Sequence, residues 1–249
     1  MIVAGRRLEI ATFGDGGRRA PIVLLHEGLG SVSQWRDFPL GLAEATGRRV
    51  VAYSRYGHGR SDVLRDPRAV EYMHHEGEIV LPALLAELAI DRAILFGHSD
   101  GASIALIFAA RFPHACEALI LEAPHVFVEP LTVESIARIR DVALQTDLLT
   151  KLERHHNDAR RTFWGWNDIW LDPAFRSWDI TARLAAISAP ILTLQGNDDE
   201  YGTAAQITAI AEYVARVETL FIDNCGHAPH RDAVDAVLAA TARFLAHRP

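Results

Sequence analysis

Three residue types that together perform acyl transfer recur in this chain in a suggestive order: a serine, then a carboxylate, then a histidine. Ser99 sits in Gly97-His98-Ser99-Asp100-Gly101, a G-x-S-x-G pattern entered by the apolar run Ile94–Phe96 and left by the small-residue helical pattern Ala102–Ala105. A serine on a tight strand-to-helix turn needs small neighbours two positions either side, and the turn leaves the N–H of Asp100 free at a helix start. A neutral hydroxyl is a poor nucleophile, so it needs a base and a group that holds that base. His227, in Cys225-Gly226-His227, follows one apolar run, and Asp198-Asp199 follows another. A carboxylate there would fix the imidazole's tautomer and stabilise its protonated form. Spacing alone does not separate Asp198 from Asp199.

The elements that must position these residues are legible from periodicity. Leu8–Phe13 alternates polar and apolar residues before Gly14-Asp15-Gly16-Gly17, as an edge hairpin would. Apolar runs at Ile22–Leu25 and Val50–Ser54 predict strands buried on both faces of a parallel sheet, and further strands are read at Ala93–Phe96, Ala118–Glu122, Ile191–Gln195 and Val217–Ile222. Helical patterns alternate with them at Phe38–Thr46, Val70–Ala89, Ala102–Phe112, Ala204–Ala215 and Ala233–Ala246. Short βα connections in this order predict an α/β fold with a doubly wound, mostly parallel sheet. Ser99, the acid and His227 then share the carboxyl edge of that sheet, where open α/β sheets hold ligands. The glycine-rich loop His26-Glu27-Gly28-Leu29-Gly30 ends a strand on the same edge.

Residues 125–189 break the alternation. They carry Trp164, Trp166, Trp170 and Trp178, show helical patterns and contain no convincing strand. This predicts a helical cap inserted after the fifth or sixth strand, with residues 1–124 and 190–249 as one core domain. Most of the indoles are expected to pack cap onto core, and one or two to line a pocket.

Composition narrows the function class. Net charge is −7, with 25 basic against 32 acidic side chains, which argues against nucleic acid or an anionic membrane as the main partner. The first residues lack the apolar core of a signal peptide, and no segment approaches a membrane span. Cys116 and Cys225 form no metal or redox motif, so a cytoplasmic, reducing setting fits. No histidine and carboxylate spacing matches a metal site, and no metal or cofactor is expected. His74-His75 and His155-His156 read as solvated helical residues. The sequence leaves the oligomeric state open.

His26-Glu27-Gly28, Tyr56-Gly57-His58-Gly59-Arg60-Ser61, Gly97-His98-Ser99-Asp100-Gly101, Gly196-x-x-Asp199 and Gly226-His227 together resemble the α/β-hydrolase superfamily over nearly the whole chain. The resemblance implies catalytic roles for Ser99, Asp199 and His227, selects Asp199 over Asp198, and implies an oxyanion hole from the backbone N–H groups of Gly28 and Asp100. It implies a serine hydrolase acting on a small-molecule ester, amide, lactone or thioester, without a cofactor. Glu27 stands where that family often has glycine, and is read chiefly as a solvated charge near the pocket. Ser-Asp-Gly at the elbow is similar to the biphenyl hydrolase-like and valacyclovir hydrolase group. There the aspartate meets a substrate α-amino group. The alternative for Asp100 is hydrogen bonding within the elbow helix. Further substrate contacts are expected from Leu29, His98, His125, Trp164, Trp166 and Trp170. A carbon–carbon bond hydrolase on the same residues, or a non-catalytic small-ligand receptor on the same fold, are the competing readings.

Overall fold

A computed structural model describes residues 1–17 and 19–246. A small hairpin, Ile2–Val3 with Arg6–Arg7, turns through Ala4 and Gly5, both at positive φ. The main sheet then has seven strands: β1 (Glu9–Phe13), β2 (Ile22–Leu25), β3 (Val50–Ser54), β4 (Ala93–His98), β5 (Cys116–Glu122), β6 (Ile191–Gly196) and β7 (Val217–Ile222). Their spatial order is β1-β3-β2-β4-β5-β6-β7, with β1 antiparallel to β3 and every other neighbouring pair parallel. The expected hairpin at β1 is corrected in one respect. β1 is an edge strand, but it pairs with β3 rather than with the strand that follows it, because β2 takes the parallel position between β3 and β4.

The runs of β2 to β6 are buried on both faces because both faces are covered, whereas the edge strand β7 is partly exposed. Val23, Leu25, Val51, Tyr53, Leu95, Leu119 and Leu121 point to one face. Ile22, Leu24, Val50, Ala52, Ile94, Phe96, Ala118 and Ile120 point to the other, under helices Phe38–Thr46 and Val234–Leu245. Each such valine, leucine, isoleucine or phenylalanine side chain contributes about 1.5–3 kcal/mol when fully buried. Helix Phe38–Thr46 ends where expected: Gly47 adopts φ 61° and returns its N–H to the carbonyl of Ala43.

Between β5 and β6 the described residues form helices, chiefly Pro130–Gln145, Leu148–Leu152 and Ala159–Leu171, with one isolated bridge between Phe127 and Asp179. Phe163, Trp166 and Trp170 from this segment join the same apolar cluster as the first sheet face, so segment and sheet share one core. Among the described residues no helix is long and apolar enough to cross a membrane. Both cysteines are buried and unbridged.

Candidate active site

β4 runs straight into the elbow. Ser99 has φ 54° and ψ −117°, a conformation L-residues rarely adopt, and helix Asp100–Arg111 starts at the next residue. The turn is held on both sides: Ser99 N–H donates to the Glu122 carbonyl at 2.9 Å, and the Ser99 carbonyl accepts from Ala102 and Ser103. The two glycines are steric requirements. A Cβ on Gly97 would lie 2.5 Å from Ala102 Cα, and one on Gly101 would run into the Leu25 carbonyl.

At the ends of β6 and β7 the acid and the imidazole meet. His227 Nδ1 lies 2.8 Å from Asp199 Oδ1, and the Asp199 side chain is 1% exposed. Asp198 is exposed, so burial and the hydrogen bond separate two residues that spacing could not. Asp199 is fixed from three other directions, by the N–H groups of Tyr201 (2.8 Å) and Gly202 (3.3 Å) and by Gln195 Nε2 (2.6 Å). Burial alone would raise its pKa; the hydrogen bond and charge of His227, with the Tyr201 N–H, hold it below the ordinary carboxylate value. Gly196 lets the two loops touch, since a Cβ there would strike the carbonyls of Cys225 and Gly226. With Nδ1 committed to Asp199, Nε2 is the nitrogen left to a nucleophile.

Ser99 and His227 line one cavity of about 210 Å³, together with Gly28 and Leu29 from the β2 loop and Trp166 and Trp170 from the helical segment. The Tyr201 ring sits 4.7 Å from His227, centroid to centroid. His125, also on the wall, packs edge-on against Trp170 at 5.3 Å, and burial lowers its pKa to about 4, so it is neutral near pH 7.

The β2 loop is clamped carbonyl by carbonyl. The Glu27 carbonyl accepts from Arg55 Nη2 and His26 Nδ1, each at 2.7 Å. The Gly28 carbonyl accepts from His58 Nε2 at 3.0 Å, and that of Leu29 from His156 Nε2 at 3.0 Å. His156 Nδ1 accepts the Gly59 N–H at 2.9 Å, so it is a buried, tautomer-locked residue, 3% exposed, and not the solvated one its helical context suggested.

A family profile described as alpha/beta hydrolase fold matches residues 20–172. The chain belongs to the alpha/beta hydrolase fold family. It is 24% identical over 271 residues to a proline iminopeptidase of Lactobacillus helveticus, covering 93% of this chain and 92% of the relative. It is 26% identical over 219 residues to a bifunctional esterase/perhydrolase of Acinetobacter calcoaceticus, covering 74% and 76%. Among solved structures, a meta-cleavage product hydrolase from Pseudomonas fluorescens superposes with a TM-score of 0.77 at 17% identity, covering 100% of this chain and 97% of that one.

In this alpha/beta hydrolase the elbow aspartate has partners that neither sequence alternative named. Asp100 is 1% exposed. Its Oδ2 accepts from Tyr72 Oη at 2.7 Å and its Oδ1 from Trp170 Nε1 at 3.2 Å, while Arg55 Nη1 forms an ion pair with Oδ2 at 3.5 Å. Both oxygens are engaged by buried tertiary partners and not by the elbow helix, and Asp100 also lines the cavity.

Glu27 lines the cavity, but its charge is paired and not simply solvated. Its side chain is 28% exposed and ion-paired with His98 Nδ1 at 3.6 Å. Burial would raise the Glu27 pKa, but the His98 charge outweighs it and holds the carboxyl well below its usual range. Reciprocally, burial opposes a charge on His98, yet Glu27 raises its pKa above the ordinary value. His98 itself lies behind the cavity, 3% exposed, with Nε2 on the His227 carbonyl at 2.7 Å, so it is not a pocket wall. Trp164 is not one either: it packs edge-on against Phe163 and faces a separate groove beside Leu64 and Arg65.

Sequence spacing also missed a cluster. His98, Glu122 and His230 bring ligand-type atoms within 4.8 Å of one another, all buried, and could hold a metal ion. Two of those side chains are already joined, His230 Nδ1 to Glu122 Oε2 at 2.6 Å. Arg55, Tyr72, His58, His156 and Tyr201 went unnoticed as site residues. Arg55, His58 and Tyr201 carried a positional signal, being in loops at the carboxyl ends of strands.

Proposed function

We propose that this protein is a serine hydrolase that cleaves a small carboxylic ester, or a related amide, lactone or thioester, through an acyl-enzyme. The observation that carries the reading is the buried Asp199–His227 hydrogen bond on the wall of the cavity that also receives Ser99 from its strained turn. His227 Nε2 takes the Ser99 proton as the hydroxyl oxygen attacks the substrate carbonyl, then gives it to the leaving group. Asp199 keeps the ring in the Nδ1–H tautomer and stabilises its cationic form. The Gly28 and Asp100 N–H groups receive the developing oxyanion, each donor being worth about 3 kcal/mol of barrier. Water then attacks the acyl-enzyme by the same proton path in reverse.

On this reading residues 125–189 form a cap over a core of residues 1–124 and 190–249. Trp166 and Trp170 close the cavity from above and limit the substrate to a compact, partly apolar acyl group. Relatives named for peptide, ester and carbon–carbon bond cleavage make the bond type the next question. The test is a fluorophosphonate probe followed by a panel of p-nitrophenyl esters, lactones and prolyl amides. One adduct is expected at Ser99, absent in Ser99→Ala and strongly slowed in His227→Ala. Folded wild-type protein that takes no label refutes the reading and favours a ligand receptor.

A further inference from the structure

Arg55 follows β3 directly, its guanidinium is buried, and none of the steps above uses it. The side chain reaches two places at once. Nη2 donates to the Glu27 carbonyl at 2.7 Å, and Nη1 lies 3.5 Å from Asp100 Oδ2. The Glu27 carbonyl and the Gly28 N–H belong to one planar peptide unit, so fixing the oxygen fixes the direction of the N–H on its far side. A charge-assisted bond to that oxygen also polarises the unit and makes its N–H a stronger donor. The other N–H assigned to the oxyanion belongs to Asp100, whose side chain the same guanidinium holds. His26 completes the arrangement. Arg55 N–H donates to His26 Nε2 at 3.0 Å, which leaves Nδ1 as the protonated nitrogen that donates to the same Glu27 oxygen.

We propose that Arg55 is the positioning residue of the oxyanion hole, one cation bracing the two backbone segments that supply its N–H groups. The proposal rests on the acyl-transfer reading of Ser99. Lysine cannot substitute, because an ammonium is a single point of charge, whereas the guanidinium is a rigid fork that spans both sites.

The experiment compares wild type with Arg55→Lys and with the double variant Arg55→Met/Asp100→Asn, which removes the carboxylate that Arg55 pairs with. Each is assayed on p-nitrophenyl acetate and with a trifluoromethyl ketone, which becomes a tetrahedral oxyanion on Ser99. In both variants kcat falls ~30-fold or more, below the ~10²–10³ of an outright lost donor. KM stays within about twofold, because the interaction is made in the transition state and not with bound substrate. The trifluoromethyl ketone weakens by the same factor as kcat, which a merely structural role would not produce. In labelled spectra the Gly28 amide proton shifts in Arg55→Lys. Wild-type kcat and ketone affinity in a folded variant, or a loss wholly in KM, overturn the assignment. So does loss of cooperative unfolding in both variants, which would make Arg55 a residue of the fold and not of the hole. A wild-type protein that takes no fluorophosphonate label defeats the acyl-transfer reading and this proposal together; a labelled wild type with an unimpaired Arg55→Lys defeats only the role of Arg55.

Discussion

Acidification should destabilise the fold, in part by breaking the clamp on the β2 loop. His26 and His156 each use one ring nitrogen to accept a backbone N–H, from Arg55 and Gly59, and protonating that nitrogen breaks the bond. Burial pushes the pKa of His26 and His58 well below 6.5, and that of His125 and His156 to about 4. The sign follows from proton counting: below pH 6.5 the unfolded chain binds protons that the folded chain refuses, so stability falls as pH falls, down to about pH 4. For one histidine at 6.5 unfolded and about 4 folded, going from pH 7 to pH 5 costs about 1.8 kcal/mol. His125 and His156 alone therefore remove about 4 kcal/mol, a large part of an ordinary domain's 5–15 kcal/mol. His26 and His58 add to the loss. His98, raised by Glu27, works in the opposite direction, as one group against six, since burial lowers His74 and His155 as well. Urea unfolding at pH 7, 6 and 5 measures the slope. His125→Phe keeps an aromatic ring against Trp170 and should recover about 2 kcal/mol of the pH 5 loss. A stability that stays flat within about 1 kcal/mol between pH 7 and pH 5 would refute the reasoning.

Two further outcomes follow from the site. Asp199→Asn leaves a hydrogen-bonding side chain beside His227 but favours the wrong tautomer, so kcat should drop about 10³–10⁴-fold with the fold intact; a loss under tenfold would remove Asp199 from its role. Because both Asp100 oxygens are already engaged, Asp100→Asn should reduce kcat/KM by equal factors on α-amino esters and on their des-amino counterparts. A loss confined to the α-amino esters in steady-state assays would return Asp100 to substrate binding.

What could be read along the chain was whatever is decided locally. Most strand assignments follow from apolar runs bounded by turns, and the bounds of the more polar β7 also match at Val217–Ile222. Gly97 and Gly101 mark the elbow because backbone sterics at one turn demand them. The order serine, acid, histidine at strand ends follows from topology once the sheet is parallel.

What needed the folded molecule were contacts between residues far apart in sequence and the rotational phase of helices. Asp199 is distinguished from Asp198 by which side chain turns inward to His227, 28 residues away. Trp166 and Trp170 lie four residues apart and share a helix face over the cavity, whereas Trp164 is offset by about 200° from Trp166 and faces elsewhere. Asp100 pairs with Arg55, Tyr72 and Trp170, 45, 28 and 70 residues distant, so no spacing rule could join them. The chain by itself determined the layered sheet and the turn that presents Ser99, because steric and apolar patterns act between neighbours. Tertiary packing decided which charges are buried together, because desolvation and pairing depend on the whole surroundings of a group and not on its place in the chain.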